Sequence, residues 1–366
     1  MSNQEKSELQ SEFPCSQCGA KLKYIPGTSV IKCEYCNYEQ AIKSDTRSIE
    51  VQEYDFNEAI NYKKSIKSSS LINDSKEVQC SGCGAISLIR EQSTRCPFCG
   101  SAIVLDITDS IDRISPESLL PFKIEKKEAQ KSFINWLSSR WFAPNDLIKR
   151  ARLEGMDGVY LPFWTYDTNT YTKYTGERGE FYYTTESYTD SSGRTQTRSV
   201  QHTRWYHVSG DVNVNFDDII VCASESLPHS IIDNLENWEL NELLPYSPEF
   251  LSGFITERYK IDLKAGFEIA KEKMNSEIVN SIYTDIGGDT QRVHYKKTNY
   301  QDIKFKHILL PIWISSFKYK EKVYRIVINA RNGEVSGERP YSWVKISFAI
   351  LSSILIISCI YYFSNL

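Results

Sequence analysis

No Gly-Lys dipeptide occurs anywhere in these 366 residues. A phosphate-cradling GxxxxGKS/T loop is therefore excluded, and ATP-driven unwinding with it. Only five histidines are present, His202, His207, His229, His294 and His307, and none belongs to an HExxH motif. His202 and His207 stand five apart in HTRWYH, so strand alternation places them on opposite faces. A GxSxG nucleophile elbow is also missing. No catalytic constellation emerges, and the expectation is a protein that is not an enzyme. An unrecognised site in the Tyr-rich middle is the weaker alternative.

Positive charge is scarce as well. The formal net charge is −4, and residues 1–110 hold 12 Lys+Arg against 15 Asp+Glu. A nonspecific nucleic-acid binder needs a basic footprint, and none is evident. The start, Met1 to Gln10, is polar and has no apolar h-region, so no secretory signal is expected. Ser2 replaces the glycine that myristoylation needs, and the C-terminus is not a prenylation box.

Cysteine, by contrast, is patterned. Eight of the ten cysteines fall into four CxxC pairs. Cys15, Cys18, Cys33 and Cys36 form CSQC-x14-CEYC; Cys80, Cys83, Cys96 and Cys99 form CSGC-x12-CPFC. A CxxC turn points two sulfurs at one ion, and backbone N–H groups in the turn stabilise thiolate charge. Both spacings match four-thiolate zinc sites, in preference to disulfides or an iron–sulfur cluster. Two structural Zn2+ ions are expected. Four thiolates close the coordination sphere and leave no place for water or substrate. Gly19, Gly84 and Gly100 each follow a cysteine, where a tight knuckle favours positive φ. A ribbon this small folds on its metal. Such ribbons dock proteins or touch nucleic acid; the acidic background favours a protein.

The last part of the chain is apolar. Residues 346–363 (ISFAILSSILIISCIYYF) carry no charge over 18 positions. At about 1.5 Å per residue they span roughly 27 Å, near the ~30 Å of a hydrocarbon core. Tyr341 and Trp343 flank one end, Tyr361 and Tyr362 the other, as interfacial aromatics do. Arg331, Arg339 and Lys345 precede the segment and nothing basic follows it. By the positive-inside rule this predicts a single-pass C-terminal anchor in the plasma membrane, with the N-terminal bulk in the cytoplasm. The alternative is a buried C-terminal helix or strand. Cys359, deep in the segment, is read as inert packing.

Between these features the fold class reads as α+β. The expected organisation is a zinc ribbon at 13–39, a linker at 40–79, a second ribbon at 78–102, a strand-rich α+β domain at 119–342 and a transmembrane helix at 346–363. Within the linker, Asp55 and Glu58 resemble a capping box, so either a short helix or an exposed tether is expected. Periodicity predicts a helix over 125–141 with Ala129, Phe133, Ile134, Trp136, Leu137 and Trp141 on one face, and another over 146–154. A third runs from Leu263 to Ile282, capped by Asp262 and stopped by Gly287-Gly288. Strands begin at 159–167, and DSSGR at 190–194 is a hairpin turn between polar arms, 180–189 and 195–209. Those arms are partner-contact candidates or simply solvated. Leu161-Pro162-Phe163-Trp164 is echoed by Leu310-Pro311-Ile312-Trp313, which suggests a two-lobe internal repeat or, without function, scaffold strands. Proline near a strand start points to an edge or a bulge. Asp285 to Asp289 (DIGGD) is a helix-ending turn more than a cation loop, and Cys222 a small core residue.

The paired ribbons, VYLPFWTYDT, YTGERGEFYY, IYTDIGGDTQRV, the FKHILLPIWISSFKYKEKVYRIVINARNGEVSGERPYS stretch and the apolar tail together resemble a bacterial group of membrane-anchored double zinc-ribbon proteins. Its members carry labels such as TFIIB-type zinc ribbon-containing, primosomal protein N′ (replication factor Y)-like or phage replisome organiser-like. The replication labels reflect the cysteine ribbons, since the helicase core is missing here. Some relatives work beside SPFH-domain and phage-shock-type membrane proteins. The resemblance thus implies an adaptor in membrane stress or membrane organisation, with a protein partner of that type and no nucleotide. The rival expectation is a nucleic-acid module of replication or transcription.

Overall fold

The computed structural model describes residues 13–42, 52–61, 76–89, 96–101, 114–144, 146–147, 155–189, 191, 193–235, 237–319 and 322–364. The fold is α+β and strand-rich. Strands β1 (Leu22–Tyr24), β2 (Val30–Cys33) and β3 (Glu39–Ala41) form a small antiparallel sheet. Eleven further strands share one sheet: β4 (Tyr54–Asp55), β5 (Lys76–Gln79), β6 (Ile86–Ile89), β7 (Ser118–Leu119), β8 (Met156–Thr189), β9 (Thr195–Cys222), β10 (Leu244–Pro245), β11 (Ile255–Glu257), β12 (Thr290–Tyr319), β13 (Lys322–Asn329) and β14 (Val335–Gly337). The helices are α1 (Phe56–Asn61), α2 (Lys126–Ser138), α3 (His229–Ile232), α4 (Leu263–Ile286) and α5 (Trp343–Ser364).

Strand β8 is the spine, 34 residues long, with β9 and β12 antiparallel on its two sides. Its burial falls from continuous near Met156 to alternating beyond Asp167, then to full exposure past Glu180. The alternating half is covered by α4, whose Phe267, Met274, Ile278 and Ile282 pack on Tyr166, Tyr174 and Val212. Helix α4 begins where Asp262 accepts a bond from the Ala265 N–H at 2.8 Å, and it ends at Gly287 with φ 65°. Both signals were legible in the sequence. Beyond Gly179 strand β8 pairs only with β9, so the predicted arms form a two-stranded ribbon past the helix.

Adjacent residues of β8 and β12 point into different cores. Tyr160 and Trp313 join the cluster that holds Cys15, Leu22, Ile31 and Cys33. Val159, Leu161 and Ile312 join the cluster that holds Cys80, Cys96 and Phe98. The two four-cysteine groups therefore pack against opposite faces of the central strands.

The two echoed motifs are neighbours: Leu161 pairs with Leu310, and Pro162 with Leu309. Their prolines lie inside the sheet, which corrects the edge-or-bulge expectation. The Pro162 carbonyl accepts from the Ala223 N–H, on the side where β9 has just ended at Cys222 and β11 starts at Tyr160. The Pro311 carbonyl likewise accepts from Ala330, where β13 gives way to β7. N–H and C=O of one residue point the same way along a strand. Each missing N–H thus falls at a handover between neighbouring strands, where no ladder bond needs it.

Of the two readings around Asp55, the short helix is the one found: β4 pairs with β12, Phe56 is buried, and Asp55 caps α1 by accepting from the Glu58 N–H at 2.8 Å. Another expectation changes. Helix α2 buries Ala129, Phe133 and Leu137 only. Ile134 is exposed, and Trp141 lies beyond the helix end, because the Ser138 and Ser139 hydroxyls donate back to the Ile134 and Trp136 carbonyls and close the last turn. Residues 148–154 of the predicted helix at 146–154, the KKSIKSSS stretch and most of the 40–79 linker lie outside the described residues.

Candidate metal centres and their setting

Each predicted cysteine set converges. The four sulfurs of Cys15, Cys18, Cys33 and Cys36 lie within 4.8 Å of one another, and so do those of Cys80, Cys83, Cys96 and Cys99. Cys15–Cys36 and Cys18–Cys33 are both 3.4 Å apart; Cys80–Cys99 is 3.6 Å and Cys83–Cys96 3.7 Å. A disulfide needs about 2.05 Å. Tetrahedral thiolates at about 2.3 Å from an ion stand roughly 3.8 Å apart. The sulfurs sit as ligands around one centre and not as bonded pairs, so the donor sets fit a soft divalent ion.

All four knuckles are built alike. The residue after the second cysteine of each pair donates its N–H to the first cysteine's carbonyl: Gly19 to Cys15, Asn37 to Cys33, Gly84 to Cys80, Gly100 to Cys96, at 2.7–3.0 Å. Each of these residues has positive φ, 74°, 59°, 71° and 73°. The three glycines were expected. Asn37 completes the set, since asparagine tolerates this region better than other side chains. Backbone N–H groups of the second knuckle hold the Cys33 thiol down to about 7.

The two groups differ in how they meet the body. The hairpin of the first docks by its strands: Tyr24 N–H donates to the Ser252 carbonyl at 3.1 Å, Gly27 N–H to Phe122 at 2.8 Å, and the Tyr24 ring meets Phe250 edge-on at 5.2 Å. Its second knuckle, Cys33-Glu34-Tyr35-Cys36, points away, and Tyr35 is 83% exposed. The corresponding residue of the other group, in Cys96-Pro97-Phe98-Cys99, is Phe98, and it is 0% exposed. Arg325 Nε donates to the Phe98 carbonyl at 3.0 Å, and β6 pairs with β11 of the main sheet. Sequence alone gave these aromatics the same place and no hint of opposite surroundings. Beside the exposed knuckle a groove of about 790 Å³ is lined by Tyr24, Phe254 and Trp313 together with Lys23, Glu34 and Asn37.

Sequence reasoning missed a charged knot. Both neighbours of β8 bulge at one level, with Asp218 at φ 52° and Asp302 at φ 51°. There Lys306, nearly buried, lies 2.7 Å from Asp218, 3.3 Å from Glu53 and 3.9 Å from Asp167. Asp167, Asp217 and Asp218 have the spacing of a metal triad, but the Lys306 ammonium already supplies the positive charge. The DIGGD turn is also engaged: the Asp285 carboxylate accepts from the Tyr174 hydroxyl, and Asp289 from the Phe181 N–H. His202 stacks on Tyr182, while His207 lies 3.6 Å from Glu177, so the two histidines do not converge. Cys222 is buried in the core, as expected.

His307 is buried against Trp164 and shares a 2.9 Å hydrogen bond with the Ile114 carbonyl. Burial lowers its pKa from 6.5 to about 4. The unfolded chain therefore takes up this proton first. The stability contributed by neutral His307 is complete above pH 6.5 and is lost as pH falls towards about 4. Burial moves Asp167 the opposite way, up to about 6, and the cost of its ionised form is relieved as pH falls through that value. The stability difference between the wild-type chain and His307→Phe should shrink on acidification by on the order of 1.4 kcal/mol per pH unit. Denaturant titrations between about pH 7 and 5 measure it, and a flat difference refutes the assignment.

Helix α5 is long and apolar enough to cross a membrane, and none of its apolar window is buried. A core helix would be covered. The Ser353 hydroxyl donates to the Ala349 carbonyl at 2.9 Å, so that serine is satisfied within its own helix.

The chain is similar to YdjG. This uncharacterized protein of Bacillus subtilis (strain 168) is 28% identical over 249 residues, which are 68% of this chain and 70% of that one. No family model matches the chain, and no solved structure does. The relative's name carries no activity, so a functional reading rests on the geometry.

Proposed function

We propose that the protein is a membrane-anchored cytoplasmic adaptor in which two zinc ribbons, each closed by four thiolates, have different duties. The second is a structural clasp fastened into the body. The first displays its knuckle and recruits a protein partner. The observation that carries this reading is the contrast between Tyr35, 83% exposed, and Phe98, 0% exposed, at matching knuckle positions. An aromatic held out on a rigid metal knuckle, next to an aromatic-lined groove, suits a binding hot spot. Helix α5 holds the body at the plasma membrane, where tethering raises effective concentration and modest knuckle affinity suffices. The partner class we favour is an SPFH-domain or phage-shock-type membrane protein, with a role in membrane stress or organisation.

The test is affinity purification of the full-length chain from detergent-solubilised membranes, with Tyr35→Ala in parallel. The wild type should retain a specific protein and Tyr35→Ala should lose at least tenfold of it, with unchanged zinc content. Equal retention by both variants rejects the knuckle as the docking point. A salt-sensitive shift of DNA or RNA by the full-length protein, weakened by ribbon mutations, would support the nucleic-acid reading instead.

A further inference from the structure

The loop over residues 139–144 is bonded to the root of the apolar helix. The Ser342 N–H, just before α5, donates to the Phe142 carbonyl at 2.8 Å. One turn later Lys345 Nζ donates to the Ala143 carbonyl at 2.9 Å. The 18 uncharged residues from Ile346 to Phe363 match the hydrocarbon core, so residues 342–345 stand at headgroup depth. A loop joined to them by hydrogen bonds stands at the same depth. That loop presents Trp141, 58% exposed, and the helix root presents Trp343, 79% exposed. Arg140 lies 5.1 Å over the Trp136 ring, and Arg339 lies 5.0 Å over Tyr341. Asp146, the carboxylate next along the chain, accepts from the Tyr319 hydroxyl at 3.2 Å.

We infer that this loop is a second membrane contact, in which Trp141 enters the interface of an anionic bilayer while Arg140 meets lipid phosphates. The inference rests on the membrane reading above. Tryptophan favours this layer, because its ring is apolar and its N–H needs a polar partner. Cations just cytoplasmic of a membrane helix gain from anionic headgroups. Two points of attachment, helix and loop, fix which side of the body faces the lipid. A single flexible tether would not.

The experiment uses the full-length, metal-loaded protein in phosphatidylcholine/phosphatidylglycerol 3:1 vesicles with bromine placed near the headgroup end of the acyl chain. Tryptophan quenching is compared for the wild type, Trp141→Phe and Trp343→Phe, and resistance to alkaline carbonate extraction is scored separately. Trp164, Trp238 and Trp313 are buried and contribute little. Both variants should lose similar shares of the quenched signal. The share due to Trp141 should drop at least twofold in pure phosphatidylcholine, while that of Trp343 stays. Quenching lost in Trp343→Phe but unchanged in Trp141→Phe overturns the inference and leaves the anchor standing. A Trp141 share indifferent to lipid charge overturns the headgroup contact. A chain that carbonate washes off, with no quenching at all, removes the anchor itself and the inference with it.

Discussion

Full-length Cys96→Ser is expected to carry one zinc ion per chain against an expected two in the wild type, and to lose on the order of 4 kcal/mol of stability, or about 5 °C in Tm. Three remaining thiolates bind a structural ion far less well, and the apparent binding energy of such a site, about 10–16 kcal/mol in finger peptides, is folding energy. Here that energy is wired into the body. Cys96 and Phe98 are buried in the cluster that includes Leu161, Ile312 and Val327, and β6 adds a strand beyond β11. Loosening the knuckle exposes this cluster as well as the ribbon. Cys18→Ser should also cost one ion. Its effect on Tm should be smaller, because Cys18 is exposed and the knuckle across from it points to solvent. Metal analysis by mass spectrometry and calorimetry in detergent read both quantities. A wild-type protein holding iron, with visible sulfur-to-iron absorption, would sink the zinc assignment, and equal Tm losses would sink the ranking.

What the sequence carried best was chemistry fixed over short distances. Four CxxC pairs, three of the four knuckle turns, the Asp262 cap and the Gly287 stop are local. Each specifies a backbone conformation or a sulfur direction within a few residues, and each is found in place. The 18-residue apolar run belongs to the same class, since length and absence of charge are enough to mark it.

What escaped was set by partners far along the chain. The prolines at 162 and 311 break an intrinsic rule for strands, and only the ends of β9 and β13 explain why the sheet accepts them. Glu53 reads as part of a polar linker until Lys304 and Lys306, some 250 residues later, are found to pair with it. The face of α2 was drawn too wide because periodicity counts Ile134 and Trp141 as core, whereas the helix closes at Ser138. In all three cases the deciding contact is tertiary, and local pattern has no access to it.

The same limit makes the second large prediction possible. Phe98→Ala should cost about 3–5 kcal/mol, the usual loss for truncating a fully buried phenylalanine. Tyr35→Ala should change stability by no more than about 0.5 kcal/mol, since the ring touches solvent. Sequence gives no reason for this difference: both residues precede the last cysteine of their set and both are aromatic. The structure gives one. Phe98 lies in the core behind β6, with its carbonyl held by Arg325, and Tyr35 stands free of the body. Chemical denaturation of the two full-length variants in detergent, each with two metal ions verified, measures the pair. If the losses were equal, both knuckles would have to be docked or both free, and the division between a clasp and a recruiting knuckle would have no physical basis. If they separate as expected, any loss of partner by Tyr35→Ala cannot be blamed on unfolding, and the exposed ring becomes the place where binding energy is made.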